Sequence, residues 1–209
     1  MELPSTMKVH FEMASFSEEA MMHELLTKVV PYSDSIGSNE QELANLFSLL
    51  NYGNVTLVSD AYPRVATVLD QMRSVYGMLN KIPRTDDKQR PLTRIHIHTV
   101  AFQAILTKKI SPWKNSMASA AKASLTANRY VCGVSHIDKS KSTIIMDESF
   151  AMSRDVGSRR ISFNKDRPVS CWDEEDYEIC VAPVVVCTDI LRTAGAGDNV
   201  SAAGLVLQI

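Results

Sequence analysis

The glycine-rich segment TAGAGDNVSAAG, residues 193–204, places an acidic side chain at the start of an apolar helix. Gly195 and Gly197 allow positive φ and a close approach of the backbone to a ligand. A strand, a glycine turn and a helix in that order point unpaired backbone amides at an anion. Asp198 is therefore either a helix-capping carboxylate or a general base that accepts a proton from a hydroxyl while the amides bind phosphoryl charge.

Two better-known glycine motifs do not describe this segment. The dinucleotide-binding pattern GxGxxG requires a glycine at the position of Val200. The P-loop requires a lysine followed by serine or threonine, and no such pair follows these glycines. The segment is therefore a candidate anion site of another type.

Two further carboxylates lie beside polar partners at short spacing. In SNEQEL, Asn39 and Glu42 form the Asn-x-x-Glu pattern of a helix capping box, and this structural role is favoured. The alternative role is metal binding, because a carboxylate at a helix start can also reach a magnesium ion through the water shell of the ion. In VHFE, alternation puts His10 and Glu12 on one face of a strand, an arrangement typical of a solvent-facing pair.

Alternating and helical hydrophobic patterns follow one another along the chain and must position these residues. The patterns predict strands at 7–13, 93–100 and 178–189, with an extended piece at 32–36. They predict helices at 17–30, 39–50, 62–82 and 112–131 and after the glycines, with a looser segment at 51–60. The acidic run DEEDYE, 173–178, is predicted to be a solvated loop or hairpin edge. This alternation predicts an α/β sandwich with a mostly parallel sheet.

The composition excludes some classes of partner. With 22 basic and 24 acidic residues and a net charge of -2, the chain has no excess positive field to attract nucleic acid or an anionic membrane. The most apolar stretch, Ile179 to Cys187, is less than half the length of a membrane span. We therefore expect no nucleic-acid partner and no membrane segment in this chain.

The four cysteines, Cys132, Cys171, Cys180 and Cys187, include no CxxC pair. Cys180 and Cys187 would lie roughly 20 Å apart on one extended strand, too far to bridge each other. We expect mostly buried thiols and no disulfide framework.

The segments VHFEMAS, NEQE and RTAGAGD, with LTRIHIHT between the second and third, resemble the HxE, NxxE and GxGD motifs of the ADP-dependent glucokinase family. This family is a branch of the ribokinase-like sugar kinases. The resemblance covers about residues 7–209 and fits the eukaryotic glucokinases better than the phosphofructokinase branch. It implies a three-layer α/β/α sandwich and, in glycolysis, transfer of the β-phosphoryl group of ADP to the 6-hydroxyl of glucose, giving glucose 6-phosphate and AMP.

The GxGD match implies roles in phosphoryl transfer. By this resemblance Asp198 is the proton acceptor, and Gly195, Ala196 and Gly197 form the anion hole. Arg192 is expected to help neutralise phosphate charge. Phosphoryl transfer requires mainly positioning, charge neutralisation and one base, so these roles are coherent.

The other two motifs imply a magnesium site. Glu12 and Glu42 are expected to hold Mg²⁺ mainly through waters, with Asp198 nearby. His10 and Asn39 are expected to orient the two glutamates. ADP is the implied phosphoryl donor.

The histidines of IHIH, His96 and His98, are expected to be structural. As zinc ligands they would need further partners that the sequence does not identify.

By the same resemblance, residues 1–209 are expected to form the C-terminal part of one ADP-dependent sugar kinase domain. The first strands of that domain, the lid domain and the sugar-binding positions are expected to be absent from this chain. A second function therefore stays open: a catalytically inactive nucleotide-binding or scaffold fragment. The family implies a monomer for a full-length member, whereas an uncovered sheet edge would let this chain self-associate. Animal members carry a secretory-type signal upstream and are associated with the endoplasmic reticulum, so this chain leaves its compartment open.

Overall fold

The structure is a computed structural model and describes residues 6–15, 18–55 and 60–209. The predicted start of the first helix at residue 17 and part of the looser segment 51–60 lie outside the described residues. The α-helices are α1 (Glu19–Lys28), α2 (Glu40–Tyr52), α3 (Val65–Lys81), α4 (Ser116–Cys132) and α5 (Ala196–Val206). In the described part of the chain, short 3-10 helices span Val30–Tyr32 and Lys139–Lys141. Within the described ranges, no helix combines the length and the apolar character needed to cross a membrane.

The strands are β1 (His10–Glu12), β2 (Ser35–Asn39), β3 (Arg94–His98), β4 (Phe102–Lys108), β5 (Ser142–Thr143), β6 (Ser149–Ala151), β7 (Arg160–Ser162), β8 (Ser170–Glu174), β9 (Tyr177–Pro183) and β10 (Val186–Cys187). The central sheet has the order β1-β2-β3-β4-β9-β8. The short strands form two further antiparallel pairs, β5 with β10 and β6 with β7. The run DEEDYE lies in the β8–β9 hairpin, as predicted.

The central sheet has a parallel half and an antiparallel half. β1, β2 and β3 run parallel, whereas β4, β9 and β8 continue the sheet with antiparallel pairing. The turn at residues 99–101 joins β3 to β4, and so short a connection permits only antiparallel pairing. The α/β class is confirmed, and the parallel pairing predicted for most of the sheet lies in the β1–β3 half that carries the motifs.

Helices cover both faces of this sheet and give three layers. The helices α2 and α3 pack on one face, and α4 and α5 pack on the other. Strand β3 shows why the two faces differ: Ile95 and Ile97 enter the main apolar core. The alternate residues Arg94, His96 and His98 face α5, where hydrogen-bonding groups replace aliphatic side chains.

The expectation of buried thiols is wrong. All four cysteines form disulfides, Cys132 with Cys187 and Cys171 with Cys180. Cys180 and Cys187 indeed do not bridge each other, because β9 ends at Pro183 and β10 is a separate strand. Each instead meets a cysteine from another element: Cys171 lies directly opposite Cys180 in the β8–β9 register, and Cys132 ends α4 beside β10.

Candidate functional site

The ends of the parallel strands bring the first two sequence motifs and His98 together. β1 ends at Glu12, β2 ends at Asn39 and β3 ends at His98. Because these strands are parallel, their carboxyl ends meet at one edge of the sheet. The first turn of α5 packs onto this edge: a Cβ added to Gly197 would lie 3.0 Å from Cε1 of His98. The GxGD segment therefore joins the same site.

Glu12 is held between two histidines. Nε2 of His10 lies 3.2 Å from its Oε2, and Nε2 of His98 lies 2.7 Å from its Oε1. The same His10 nitrogen lies 3.1 Å from Oγ of Ser201 on α5. His10 and Glu12 thus face α5 instead of bulk water, so the solvent-face interpretation of VHFE is wrong. The reason is tertiary: α5 returns from nearly 200 residues along the chain to cover this strand face.

A glycine makes room for the Glu12 carboxylate. Glu12 pairs with Gly37 in the β1–β2 register, and a Cβ at Gly37 would overlap the Oε2 atom of Glu12. The same Cβ would lie 2.7 Å from Oγ of Ser201. Gly37 is therefore needed for the close approach of this carboxylate to β2.

The surroundings of Glu12 keep it ionised. Burial alone would raise its pKa, but the hydrogen bonds from His10, His98 and Ser201 and the charge of His98 lower the pKa to about 2. Glu12 therefore carries a negative charge throughout the physiological pH range.

A buried cation lies on the strand face beneath α5. Arg94 is fully buried, donates to Gln208 at 2.6 Å and to Ser35 at 2.9 Å, and lies 5.8 Å from the centre of the Trp113 ring. Burial lowers the pKa of Arg94 to about 9, and the charge of Glu12 opposes this effect. The hydroxyl of Ser35 also lies 2.9 Å from Nδ1 of His10. Ser35 and His10 therefore link the Arg94 guanidinium to Glu12.

Asn39 and Glu42 form the predicted capping box. The Asn39 side chain accepts from the Glu42 amide at 2.9 Å, and the Asn39 amide donates to Oε2 of Glu42 at 2.9 Å. Oε1 of Glu42 accepts from Nδ2 of Asn39 at 3.0 Å and from the Ser15 hydroxyl at 3.2 Å. Burial raises the pKa of Glu42, with a further contribution from the charge of Glu12, so the two carboxylates lie close enough to interact.

The cap interpretation of Asp198 is wrong. The N-cap of α5 is Gly195 at φ 74°, no side chain caps the helix, and Asp198 is exposed in its first turn. Its carboxylate forms no side-chain hydrogen bond or ion pair with the described residues. Asp198 is therefore accessible for contact with a ligand.

The amides around Asp198 are equally accessible. The Ala196 amide is used by the Thr193 carbonyl at 3.0 Å, but in the described part of the chain no acceptor meets the amides of Gly195, Gly197 and Asp198. Unpaired amides at a helix N-terminus attract anions through their partial positive charge.

Arg192 precedes these amides, and within the described residues its side chain is anchored at one nitrogen. Its Nε donates to the Tyr130 carbonyl at 3.0 Å, and its Cζ lies 4.7 Å from the centre of the Tyr130 ring. The two terminal guanidinium nitrogens have no hydrogen-bond partner among the described residues. They are free to meet an anion at the start of α5.

A cleft of about 390 Å³ adjoins the start of α5. Its polar lining includes Asn39, Glu40 and His98, and the start of α5 contributes Ala196 and Gly197. Its apolar lining includes Val131, Val184, Val185, Val186 and Ile190. A cleft lined by both polar and apolar side chains suits a ligand with a charged group and a flat hydrophobic group.

Two residues of this site were not assigned to it from the sequence. Glu40 lines the cleft, and burial raises its pKa. Its position beside Asn39 at a helix start was the available signal. His98, expected to be structural, contacts both Glu12 and the start of α5.

His96 fits the structural expectation. It is fully buried, and its Nε2 lies 2.9 Å from Oε1 of Gln103. Neither His96 nor His98 belongs to a group of three potential metal-binding side chains within the described residues. The one group found there, Cys171, Glu178 and Cys180, has its two sulfurs in a disulfide.

Residues 1–207 match the conserved region of ADP-specific phosphofructokinases and glucokinases. The chain is 31% identical over 206 residues to an ADP-dependent glucokinase of Bos taurus, covering 98% of this chain and 41% of that protein. It is 26% identical to a probable ADP-dependent glucokinase of Caenorhabditis elegans, covering 99% of this chain and 42% of that protein. It is 20% identical to an ADP-specific phosphofructokinase of Pyrococcus abyssi, covering 97% of this chain and 42% of that protein. The chain thus spans about two-fifths of the length of these relatives.

Solved structures share the fold at low sequence identity. The last common ancestor of ADP-dependent phosphofructokinases from Methanosarcinales matches with a TM-score of 0.62 and 17% identity, covering 96% of this chain and 42% of that one. An ADP-dependent kinase in complex with fructose-6-phosphate and ADPβS matches with a TM-score of 0.62 and 16% identity, covering 96% and 44%.

Proposed function

The chain belongs to the ADP-specific phosphofructokinase/glucokinase family, whose members are ADP-dependent sugar kinases of ribokinase-like fold, and we propose that it carries the phosphoryl-transfer site of an ADP-dependent glucokinase. The proposed reaction moves the β-phosphoryl group of ADP to the 6-hydroxyl of glucose and yields glucose 6-phosphate and AMP. One observation carries the proposal: the exposed Asp198 and unpaired amides begin α5, and the next turn of that helix contacts the His10–Glu12 pair through Ser201.

Asp198 is proposed as the base that accepts the proton of the 6-hydroxyl. Its accessibility and lack of described side-chain partners support this role. The amides of Gly195 and Gly197, with Arg192, would bind the charge that develops on the transferring phosphoryl group. Ala196 belongs to the same turn, but its amide already has a backbone acceptor, so its part in the anion hole is to shape the turn.

The carboxylates of Glu12 and Glu42 support the proposal of a magnesium site at this edge of the sheet. Carboxylate oxygens are the ligands that Mg²⁺ prefers, and Mg²⁺ keeps several of its waters. Among the described residues, Glu12, Glu42 and Asp198 do not form a group of three ligands within 4.8 Å of one another, and both oxygens of Glu12 and of Glu42 already accept hydrogen bonds. Contacts through metal-bound water are therefore favoured over direct coordination by all three carboxylates. We propose that Glu12 and Glu42 hold Mg²⁺ in this way near Asp198, and that His10 and Asn39 orient them. When bound, the ion would neutralise phosphate charge.

The 390 Å³ cleft is proposed to take the nucleoside of ADP. Its apolar lining suits a purine ring, and Ala196 and Gly197, which also line it, are proposed to lie beside the phosphates. Glucose is proposed as the acceptor because the two animal relatives named for glucose are more similar to this chain than the archaeal relative named for phosphofructokinase.

The chain spans 41% of the Bos taurus relative, which favours one second candidate: a nucleotide-binding or scaffold fragment without turnover. In that case β1, an edge strand of the described sheet, offers the surface for association with another chain.

An assay for products separates the two candidates. With ADP, Mg²⁺ and glucose, the proposed enzyme forms AMP and glucose 6-phosphate in equal amounts. ADP binding by calorimetry without either product would support the fragment. The lack of both products and ADP binding, in a chain shown to be folded by circular dichroism, would contradict the nucleotide site itself.

A further inference from the structure

Tyr130, near the end of α4, lies outside all of the sequence motifs but contacts the glycine segment. Its hydroxyl donates to the Ala194 carbonyl at 2.6 Å. A Cβ added to Gly195 would lie 3.2 Å from the same hydroxyl. The Tyr130 ring and backbone carbonyl also hold Arg192, as described above. One residue therefore contacts both the anion-hole backbone and the nearby cation.

The hydroxyl contact fixes the orientation of one peptide group. The described chain contains no cis peptide, so the Ala194 carbonyl and the Gly195 amide point in opposite directions. With the carbonyl held by Tyr130, the Gly195 N–H is turned to the other side, where no described acceptor meets it.

Glycine at position 195 makes this anchor necessary. Gly195 lies at φ 74°, and glycine tolerates a wider range of backbone angles than any other residue, so the preceding peptide has little intrinsic preference against rotation. A rotated peptide would present the Ala194 carbonyl oxygen where the amide now lies. An anion would then meet an acceptor in place of a donor.

We propose that Tyr130 is a positioning residue of the phosphate site, whose hydroxyl keeps the Gly195 amide directed at the terminal phosphate of a nucleoside diphosphate while its ring and carbonyl hold Arg192. This role rests on the function proposed above. It requires no contact between Tyr130 and the ligand.

The loop has a second attachment that does not depend on the hydroxyl. The Leu191 amide donates to the Val131 carbonyl at 2.9 Å, and the Leu191 side chain packs on Gly133. Tyr130→Phe should therefore leave the loop docked and remove only the anchor of the Ala194–Gly195 peptide. Tyr32→Phe is the matched control, because it also removes a hydroxyl hydrogen bond, to Asp86 at 3.3 Å, but lies before the start of β2, at the opposite end of the parallel strands.

Calorimetric titrations with ADP and with adenosine, in the presence of Mg²⁺, test the role. The expected result for Tyr130→Phe is a Kd for ADP that is weaker by about 5- to 10-fold and an unchanged Kd for adenosine, since only the phosphate contact is lost. Tyr130→Leu, which also removes the ring under Arg192, should weaken ADP further. Tyr32→Phe should change neither Kd.

Two results would overturn this role and leave the proposed function intact: ADP binding that is unaffected in Tyr130→Phe, or ADP and adenosine binding that weaken equally. A purely structural effect of Tyr130 would produce the second result. If the unaltered chain binds ADP no more tightly than adenosine, the phosphate site itself is wrong, and both proposals are contradicted.

Discussion

Nε2 of His98 lies 2.7 Å from Oε1 of Glu12, which joins the end of β3 to the end of β1 across the intervening strand. The contact is possible because β2 carries Gly37 at the crossing point, where a side chain would overlap the carboxylate. His98 in turn packs on Gly197, so one imidazole connects the ionised carboxylate with the first turn of α5. Damage to this contact should therefore affect the proposed metal site and the proposed phosphate site together.

Gly37→Ala should displace the Glu12 carboxylate. The added methyl group overlaps Oε2 of Glu12, so we expect a stability loss of about 1–3 kcal/mol, together with weaker magnesium dependence. Gly77→Ala is the control: Gly77 lies within α3, a Cβ there meets nothing within 4 Å, and a stability gain of roughly 0.5–1 kcal/mol is expected. Urea unfolding measures the stability of both variants. A Gly37→Ala chain as stable as the unaltered one would contradict the described packing.

Glu12 should make the stability of the chain depend on acid pH. Its pKa falls from 4.5 to about 2 on folding, so its ionised form stabilises the folded state above about pH 4.5. This contribution, on the order of 3 kcal/mol, is lost as the pH falls from 4.5 toward 2. The free energy of unfolding of Glu12→Gln should therefore lie below that of the unaltered chain at neutral pH, and the gap should close in acid.

The control for this pH dependence is Glu24→Gln. Glu24 is exposed, and its one ion pair within the described residues is with Lys28 one helical turn away, so its removal should have little effect at any pH. A difference in the free energy of unfolding between the unaltered chain and Glu12→Gln that stays constant from neutral to acid pH would show that Glu12 is not held ionised by its neighbours.

Glu42→Gln separates the two roles left open for the NxxE segment. A glutamine at position 42 still accepts from the Asn39 amide, but its NH₂ group cannot accept from Nδ2 of Asn39 or from the Ser15 hydroxyl as Oε1 of Glu42 does. The capping box and the fold should therefore survive with a loss of about 1–2 kcal/mol. Loss of the charge should raise the Mg²⁺ concentration that gives half-maximal activity. Asn39→Ala, which removes the cap itself, should cost about 1 kcal/mol in stability.

The opposite outcome would favour a purely structural Glu42. A large loss of stability in Glu42→Gln with an unchanged Mg²⁺ requirement would remove it from the proposed metal site. Titration of activity with Mg²⁺ and urea unfolding of the same variants distinguish these outcomes.

The fold was predictable wherever one side of an element is apolar and the other is polar. The helix α3 has this pattern over its whole length, and a helix was predicted there at 62–82. Strand β4 was missed because six of its seven residues are buried, so AILTK shows no alternation between apolar and polar positions. The antiparallel half of the sheet was therefore not predicted, because β9 pairs with β4 and takes its direction from this strand.

The site was predictable to the extent that its residues belong to short motifs. The pairing of Cys132 with Cys187 and the contact of His98 with Glu12 join residues 55 and 86 positions apart, and no local pattern specifies such contacts. The solvent-face interpretation of His10 and Glu12 was wrong for the same reason, because the helix that covers them comes from the other end of the chain. Asp198 illustrates the limit on local rules: its position near a helix start is compatible with capping, but Gly195 takes the cap position.

The most direct test of the proposed function measures kcat for glucose phosphorylation, with ADP and Mg²⁺, in the unaltered chain and in Asp198→Asn. Because asparagine keeps the shape but cannot accept the proton, we predict a kcat lower by at least about 100-fold, with an unchanged Kd for ADP. Asp173→Asn, an exposed aspartate on the distant strand β8, should retain full kcat. Equal rates for the unaltered chain and Asp198→Asn, whether both are active or both are at background, would contradict the assignment of Asp198 as the catalytic base.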